Sequence, residues 1–289
     1  MAKVKVGLFH SIDMRAITLS GLFEGLVRSS TGTRFEVDYG GGNATLFRGR
    51  GLHYDASDYP IGGTFTGYSL FFAGRLGLSL EGAAFSATAV IDAARTKGKA
   101  DDWKVLETAL RGNDVITGGY GPDRLYGFAG HDRMVGGGLD DRLAGGSGND
   151  SIRGGLGRDW LYGEDGNDRL QGGPDADRLH GGAGADTFVF RSLHDSTVAR
   201  SGRDTIRDFS RKEGDRIDLK GIDADKTVKG DQAFDFIGTE KFHGKAGELR
   251  YATKSGDTIL QGDVDGDGTA DFSIALDATE HLKAGDFLL

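Results

Sequence analysis

The chain of 289 residues has room for two or three domains, and it carries 50 Gly against 3 Pro with no Cys. Disulfide frameworks, thiolate zinc sites and cysteine nucleophiles are therefore excluded, and the lack of a Gly-X-Y period excludes collagen. A net charge of −9, with Asp plus Glu at 44, argues against nucleic acid as a partner and favours hard cations.

No run approaches about 18 consecutive apolar residues, so no helical membrane span is expected. The opening stretch MAKVKVGLFHSIDMRAITLSGLFEGLV is interrupted by His10, Asp13 and Arg15 and is followed by no small-residue cleavage site. It reads as part of the mature protein and not as a signal peptide. Residues 1–108 read as a small α+β segment that caps the region after it. Strands are predicted over Arg34–Tyr39, Ala44–Phe47 and Gly62–Phe72, and the alternation of Leu76, Leu78 and Leu80 predicts a half-buried strand. A helix is predicted over Phe85–Lys97 with Ser86 as N-cap. A second is predicted over Asp102–Leu110, with Trp103, Leu106, Ala109 and Leu110 on its apolar face.

Residues 109–189 repeat with a period of nine: ALRGNDVIT, GGYGPDRLY, GFAGHDRMV, GGGLDDRLA, GGSGNDSIR, GGLGRDWLY, GEDGNDRLQ, GGPDADRLH and GGAGADTFV. Position six is always aspartate: Asp114, Asp123, Asp132, Asp141, Asp150, Asp159, Asp168, Asp177 and Asp186. Position eight is always apolar, from Ile116 and Leu125 through to Leu179 and Phe188. A flexible linker has no reason to keep an acid and an apolar residue in phase. The glycine-rich first six residues predict a tight turn with positive φ, and the last three a short strand with its apolar side chain inward. Two units make one coil, so aspartates eighteen residues apart stack on one edge at about 4.8 Å. One ladder is Asp114, Asp132, Asp150, Asp168 and Asp186; the other is Asp123, Asp141, Asp159 and Asp177.

Stacked carboxylates and exposed turn carbonyls suit a cation that takes about six to eight oxygens in flexible geometry, which is Ca²⁺ in preference to Mg²⁺. The pattern G-G-x-G-x-D-x-U-x resembles the RTX (repeats-in-toxin, hemolysin-type) nonapeptide, whose fold is a calcium-loaded parallel β-roll. The resemblance implies several Ca²⁺ ions and adds first-position glycines Gly118, Gly136, Gly145, Gly154 and Gly172 to the aspartates as metal-binding residues. Such a segment is expected to fold only when calcium binds. Four loops depart from the pattern: Leu139 and Asp175 replace the fourth-position glycine, and Phe128 and Glu164 the second. A non-glycine residue there is strained if φ is positive, least so for Asp.

Residues 190–289 alternate β-rich runs with Gly/Asp turns, predicting a sandwich-like or jelly-roll-like β domain. Strands are predicted over Thr187–Phe190, Asp204–Phe209, Arg216–Leu219, Ala233–Ile237, Glu248–Thr253, Thr258–Gln261 and Asp271–Leu276. The ordered motifs ADTFVF, DTIRDF, GDRIDLKGIDA, FIGTEKFHGKAGELRY, GDVDGDGTADFSIAL and AGDFLL, over roughly residues 181–289, resemble the C-terminal domain of serralysin-type secreted proteins. That resemblance implies an uncleaved C-terminal signal, ending in Asp286, Phe287, Leu288 and Leu289, read by a type I secretion apparatus. It also implies an extracellular or cell-surface location and makes Asp208 a further candidate ligand. Asp263, Asp265 and Asp267 resemble the start of an EF-hand loop, but position twelve is Ile274 instead of Glu. A tight Asp-Gly turn between strands is the favoured reading, and an additional calcium site the alternative.

The serralysin protease motif H-E-x-x-H is absent, as are G-x-S-x-G and a P-loop. The variable repeat positions of His131 and His180 make both solvent-facing. The main expectation is a secreted calcium-binding protein with a non-enzymatic role on a surface, in a matrix or on a host, with a cell-surface or polysaccharide ligand. The alternative is a small hydrolase or polysaccharide-modifying enzyme with its site in residues 1–108, near Tyr54, Asp55, Asp58 and Tyr59.

Overall fold

The structure, a computed structural model, describes residues 3–6, 14, 26–31, 34–40, 43–54, 60–72, 75–86, 90, 100–254, 256–277 and 281–289. The chain divides into two compact units, Met1–Met134 and Val135–Leu289.

In the first unit, β2 (Leu26–Thr31), β3 (Arg34–Gly40), β4 (Asn43–Tyr54), β5 (Pro60–Phe72) and β6 (Arg75–Ser86) form an antiparallel meander. The predicted strands are all present, several of them longer than expected. Leu46, Phe47, Leu52, Phe65 and Leu80 are buried, and the rings of Phe47 and Phe65 lie 4.5 Å apart. β1 (Lys3–Val6) is antiparallel to β6 and parallel to β7 (Val115–Thr117), the first strand of the repeats. That edge of β7 is thereby paired, which is what a solenoid end requires.

The helix expected from Phe85 does not start there. Phe85 and Ser86 pair with Phe65 and Thr64 as the end of β6, so strand pairing overrides the N-cap signal of Ser86. Most of the rest of that expected helix, and the Asp55–Tyr59 turn, lie outside the described residues. The second helix is found at Ala100–Ala109, where Ala109 and the following Leu110 are buried. Among the described residues no helix is long and apolar enough to cross a membrane.

The repeats form β8 (Arg124–Ala129), β9 (Arg133–Gly137), β10 (Arg142–Ser147), β11 (Ser151–Gly155), β12 (Trp160–Asp165), β13 (Arg169–Gln171), β14 (Arg178–Ala183) and β15 (Thr187–Val189). Within the second unit each strand pairs, parallel and in register, with the strand two places on: Leu143 with Leu161 and Leu179, Ile152 with Leu170 and Phe188. All six side chains are buried. The period of nine thus yields two parallel sheets, each taking alternate units, with one inward side chain per unit.

The C-terminal strands lengthen both sheets. β16 (Thr205–Ile206) pairs with β14, and β17 (Arg216–Asp218) with β15. β18 (Asp235–Gly238), β19 (Glu248–Lys254), β20 (Asp257–Asp263) and β21 (Phe272–Leu276) then extend one sheet, with β21 parallel to β16. β22 (Phe287–Leu288) completes the other, parallel to β17. The two layers therefore persist beyond residue 189, and the sandwich-like C-terminal region is built on the same pair of sheets. Buried aromatic residues fill it: Phe190, Phe209, Phe234, Phe272 and Phe287.

Candidate metal centre

Backbone conformation puts the loop oxygens in place. Second-position Gly137, Gly146, Gly155, Gly173 and Gly182 and fourth-position Gly130, Gly148, Gly157, Gly166 and Gly184 all have φ between 102° and 138°. The four substituted positions keep the same left-handed backbone: Phe128 at 74°, Leu139 at 63°, Glu164 at 77° and Asp175 at 81°. The strain expected from the sequence is present at each, and the loop geometry overrides local residue preference.

The aspartates form the two expected ladders. On one, Asp141 N–H donates to Asp159 Oδ1 at 2.8 Å and Asp159 N–H to Asp177 Oδ1 at 2.7 Å. On the other, Asp150 N–H donates to Asp168 Oδ1 at 2.7 Å and Asp168 N–H to Asp186 Oδ1 at 2.8 Å. In the first unit, Asp114 N–H donates to Asp132 Oδ1 at 2.7 Å, and Asp123 Oδ2 accepts from Gly119 N–H, beside half-buried Gly118, at 2.7 Å. Every ladder aspartate is at most 3% exposed.

One oxygen of Asp132, Asp159, Asp168, Asp177 and Asp186 is thus used in holding the ladder. The second, in Asp159, Asp168, Asp177 and Asp186, is buried with no hydrogen-bond partner among the described residues. These Oδ2 atoms face the first-position glycines. A Cβ at Gly154 would lie 2.1 Å from Asp159 Oδ2 and 2.7 Å from the Gly172 carbonyl oxygen. The corresponding carboxylate distances are 2.3 Å at Gly136, 2.1 Å at Gly145, 2.1 Å at Gly163, 2.0 Å at Gly172 and 2.2 Å at Gly181. At each of these glycines a carboxylate oxygen stands where a Cβ would be, joined at Gly136, Gly145, Gly154 and Gly163 by a carbonyl oxygen of the next coil, so the missing side chain is what lets the oxygens converge. Leaving a buried carboxylate oxygen unpartnered costs on the order of 1–3 kcal/mol or more. An all-oxygen, anionic, flexible donor set of this kind fits Ca²⁺.

Burial makes the ladder carboxyl groups weaker acids. It pushes Asp132, Asp168 and Asp186 up to about 6 and Asp159 to about 7, against backbone hydrogen bonds that pull the other way. Asp177 rises to about 10 and Asp204 well above the carboxylate range, through burial first and then repulsion from neighbouring carboxylates. A divalent cation supplies the countercharge these groups lack.

Asp204 and Asp215 are ladder members that sequence reasoning missed: it placed Asp204 only at the start of a strand and Asp215 just outside one. Asp177 N–H donates to Asp204 Oδ1 at 2.9 Å, and Asp186 N–H to Asp215 Oδ1 at 2.9 Å. Asp204 is fully buried and its Oδ2 also lacks a partner among the described residues. The signal was available: Asp204-Thr205-Ile206 and Asp215-Arg216-Ile217 repeat the D-x-apolar triplet of each unit. The spacing to the preceding rung, 27 and 29 residues, hid it.

Asp208 stands outside the ladders. Its oxygens accept from Gly181 N–H at 2.9 Å and Gly182 N–H at 2.8 Å, and Oδ2 lies 2.7 Å from Nδ1 of the exposed His180. His131 is also exposed. Asp263, Asp265 and Asp267 lie at the end of β20 and in the loop that leads to antiparallel β21, with their carboxylate oxygens within 4.8 Å of one another. Asp263 is fully buried and accepts from Gly266 N–H at 2.7 Å and Gly268 N–H at 2.9 Å. Asp267 Oδ1 accepts from Thr269 N–H and Oγ1 at 2.7 Å. The same three carboxylates are close enough together to hold a cation.

Paired parallel sheets, positive-φ loops and aspartate ladders define an RTX-type calcium-binding β-roll. Residues 110–289 match the family model described as Peptidase M10 serralysin C terminal, and the chain belongs to that family. No curated protein matches the chain. Among solved structures, the chain is similar to the AlgE6R3 subunit of the Azotobacter vinelandii mannuronan C5-epimerase, at 31% identity and TM-score 0.38, covering 52% of this chain and 78% of that one. It is also similar to the AlgE6R2 subunit of the same enzyme, at 28% identity and TM-score 0.37, covering 58% and 89%. A third similarity is to the extracellular lipase LipA of Serratia marcescens, at 17% identity and TM-score 0.24, covering 62% of this chain and 38% of the lipase.

Proposed function

We propose that this chain is exported through a type I secretion apparatus, folds when it meets extracellular calcium, and then serves a non-enzymatic binding role outside the cell. In this reading residues 1–108 cap the roll, residues 109–189 bind calcium and residues 190–289 carry the export signal. The ladder aspartates bind several Ca²⁺ ions between successive coils, with carbonyl oxygens around the first-position glycines as co-ligands. Asp204 and Asp215 continue the two rows.

The observation that carries the reading is the row of buried Oδ2 atoms on Asp159, Asp168, Asp177, Asp186 and Asp204 that no described residue satisfies. A chain with so many uncompensated buried carboxylates gains little from folding without cations, so it stays open where calcium is scarce. Family membership supports the export step. The chain end also suits a signal read before folding: Phe287–Leu288 is a strand paired to β17, and Asp286 accepts from Arg211 Nε at 2.7 Å. Folding buries Asp286 and Phe287, which the unfolded chain leaves accessible.

Far-UV circular dichroism with calcium and with chelator tests the folding step. A calcium-dependent gain of β signal is expected, and an unchanged spectrum overturns it. Removing residues 275–289 is expected to abolish export, and secretion of the shortened chain at the normal level refutes that assignment.

A further inference from the structure

The outer face of one sheet in the second unit bears a groove of about 470 Å³ that the calcium ladders do not explain. This volume falls within the range of about 300–1,000 Å³ typical of small-ligand sites. Arg178, Thr205, Ala275 and Ile259 lie side by side across β14, β16, β21 and β20 in register. The floor after Arg178 is therefore made of uncharged side chains, and the groove crosses the strands. Arg158, Arg200, Arg203, Arg207 and Lys254 join Arg178 around it.

Six cations thus face one groove on a chain of net charge −9. Three are engaged: Arg158 with Asp140 at 3.4 Å, Arg207 with Asp277 at 3.0 Å, and Arg203, whose Nε donates to Ser273 Oγ at 2.6 Å. Arg178, Arg200 and Lys254 make no ion pair among the described residues. Arg178 is held instead over the ring of Trp160 at 4.8 Å, and Arg142 lies at 5.5 Å from the same ring. Cation–π contact fixes a guanidinium while leaving its N–H donors available.

The lining also includes Ser201, Asp257 and Asp277. Carboxylates in the wall work against a bare phosphate polymer but accept hydrogen bonds from a ligand that carries hydroxyls. A ligand with both anionic groups and hydroxyls satisfies both halves of the lining.

We propose that this groove binds an acidic saccharide, a short stretch of carboxylated or sulfated glycan, with its anionic groups on Arg178, Arg200 and Lys254 and its hydroxyls on Asp257 and Ser201. This deepens the proposed binding role and rests on it only for where the glycan is met. Binding by the purified chain stands or falls independently of the export test.

The experiment is calorimetric titration of the full, calcium-loaded chain with oligogalacturonate, with neutral malto-oligosaccharide, oligothymidylate and inorganic phosphate as comparators. Oligogalacturonate is expected to bind with an affinity that falls as salt rises, and the neutral glycan is expected not to bind. The combined variant Arg178→Gln, Arg200→Gln, Lys254→Gln is expected to weaken binding about tenfold or more, since it removes three charge contacts at once. It should keep the calcium-induced circular dichroism signal, because none of the three is a ladder residue. If it does not fold, the exposed Arg200→Gln alone carries the test and is expected to weaken binding measurably. Unchanged affinity in a folded variant overturns the proposal. So does a preference for oligothymidylate, phosphate binding as tight as oligogalacturonate binding, or no oligogalacturonate binding at all.

Discussion

The coils of residues 135–189 and the strands of residues 190–289 share two sheets but are held together differently. In the coils each unit contributes one inward apolar side chain, such as Ile152, Leu161, Leu170 or Leu179, beside a buried aspartate. After residue 189 the same sheets gain paired aromatic residues: Phe209 lies 6.2 Å from Phe188 of the last coil between ring centres, Phe234 and Phe272 lie 5.6 Å apart, and Phe236 and Phe287 4.9 Å. One leucine-sized side chain per nine ordered residues is little apolar burial to set against the entropy of ordering them. The aromatic clusters supply more burial per residue. A common architecture therefore joins a cation-dependent half to a half with a core of its own.

Calcium removal is expected to separate the halves most strongly. By hydrogen exchange after chelation, amides of β11 to β14 should lose protection by orders of magnitude, while β19, β20 and β21 should keep a larger share of theirs. Equal loss in both halves would show that the aromatic core has no stability of its own.

A methyl group in the oxygen-lined gap comes next. Gly163→Ala places Cβ 2.1 Å from Asp168 Oδ2 and 2.4 Å from the Gly181 carbonyl oxygen, whereas a Cβ at Gly112 meets nothing within 4 Å. Gly163→Ala is expected to cost on the order of 2 kcal/mol or more and to weaken calcium binding. Gly112→Ala should stay within about 0.5 kcal/mol of the parent. Calcium titrations of the two variants that superimpose would remove the first-position glycines from the site.

Protons should act on the coils in the opposite sense to calcium. Burial raises Asp132, Asp168, Asp186 and Asp215 from 3.8 to about 6, and Asp159 to about 7. The folded, metal-free chain therefore binds more protons than the unfolded chain between these values. The stability contributed by proton uptake is fully present below about pH 4 and is lost as pH rises through about 6 to 7. Acid should partly replace calcium as a folding trigger, and calcium affinity should fall as pH drops below about 7. A metal-free circular dichroism signal that grows from pH 5 to pH 8 would contradict the sign.

How much of this could be read in the residues follows the same division. In the coils the period of nine fixed strand positions, inward side chains, both ladders and the four strained loops, because one local rule governs every unit. Beyond them, strand positions were legible and pairings were not. β16 reaches β14 across 27 residues and β17 reaches β15 across 29, so Asp204 and Asp215 join the ladders out of period. In the first unit Ser86 carried a helix-start signal that pairing with Thr64 outweighed. Local pattern is decisive where structure repeats locally, and it yields to long-range pairing where it does not.

The smallest effect tests the local rule itself. Leu139 holds φ at 63° with its side chain 55% exposed, so it combines left-handed strain with almost no compensating burial. The strain is worth about 1–2 kcal/mol, and replacing Leu by Gly returns part of it as extra freedom of the unfolded chain, about 0.4–1 kcal/mol. Leu139→Gly is therefore expected to stabilise the calcium-loaded chain by somewhat under about 1 kcal/mol, seen as a rise of a few degrees in Tm. Asp175→Gly relieves less, since Asp tolerates the left-handed region at its φ of 81°. The order Leu139→Gly above Asp175→Gly is the discriminating readout. If Asp175→Gly stabilised more, backbone strain would not be the factor that separates regular loops from irregular ones, and the carboxylate of Asp175, beside the ladder at Asp177, would have to be the cause.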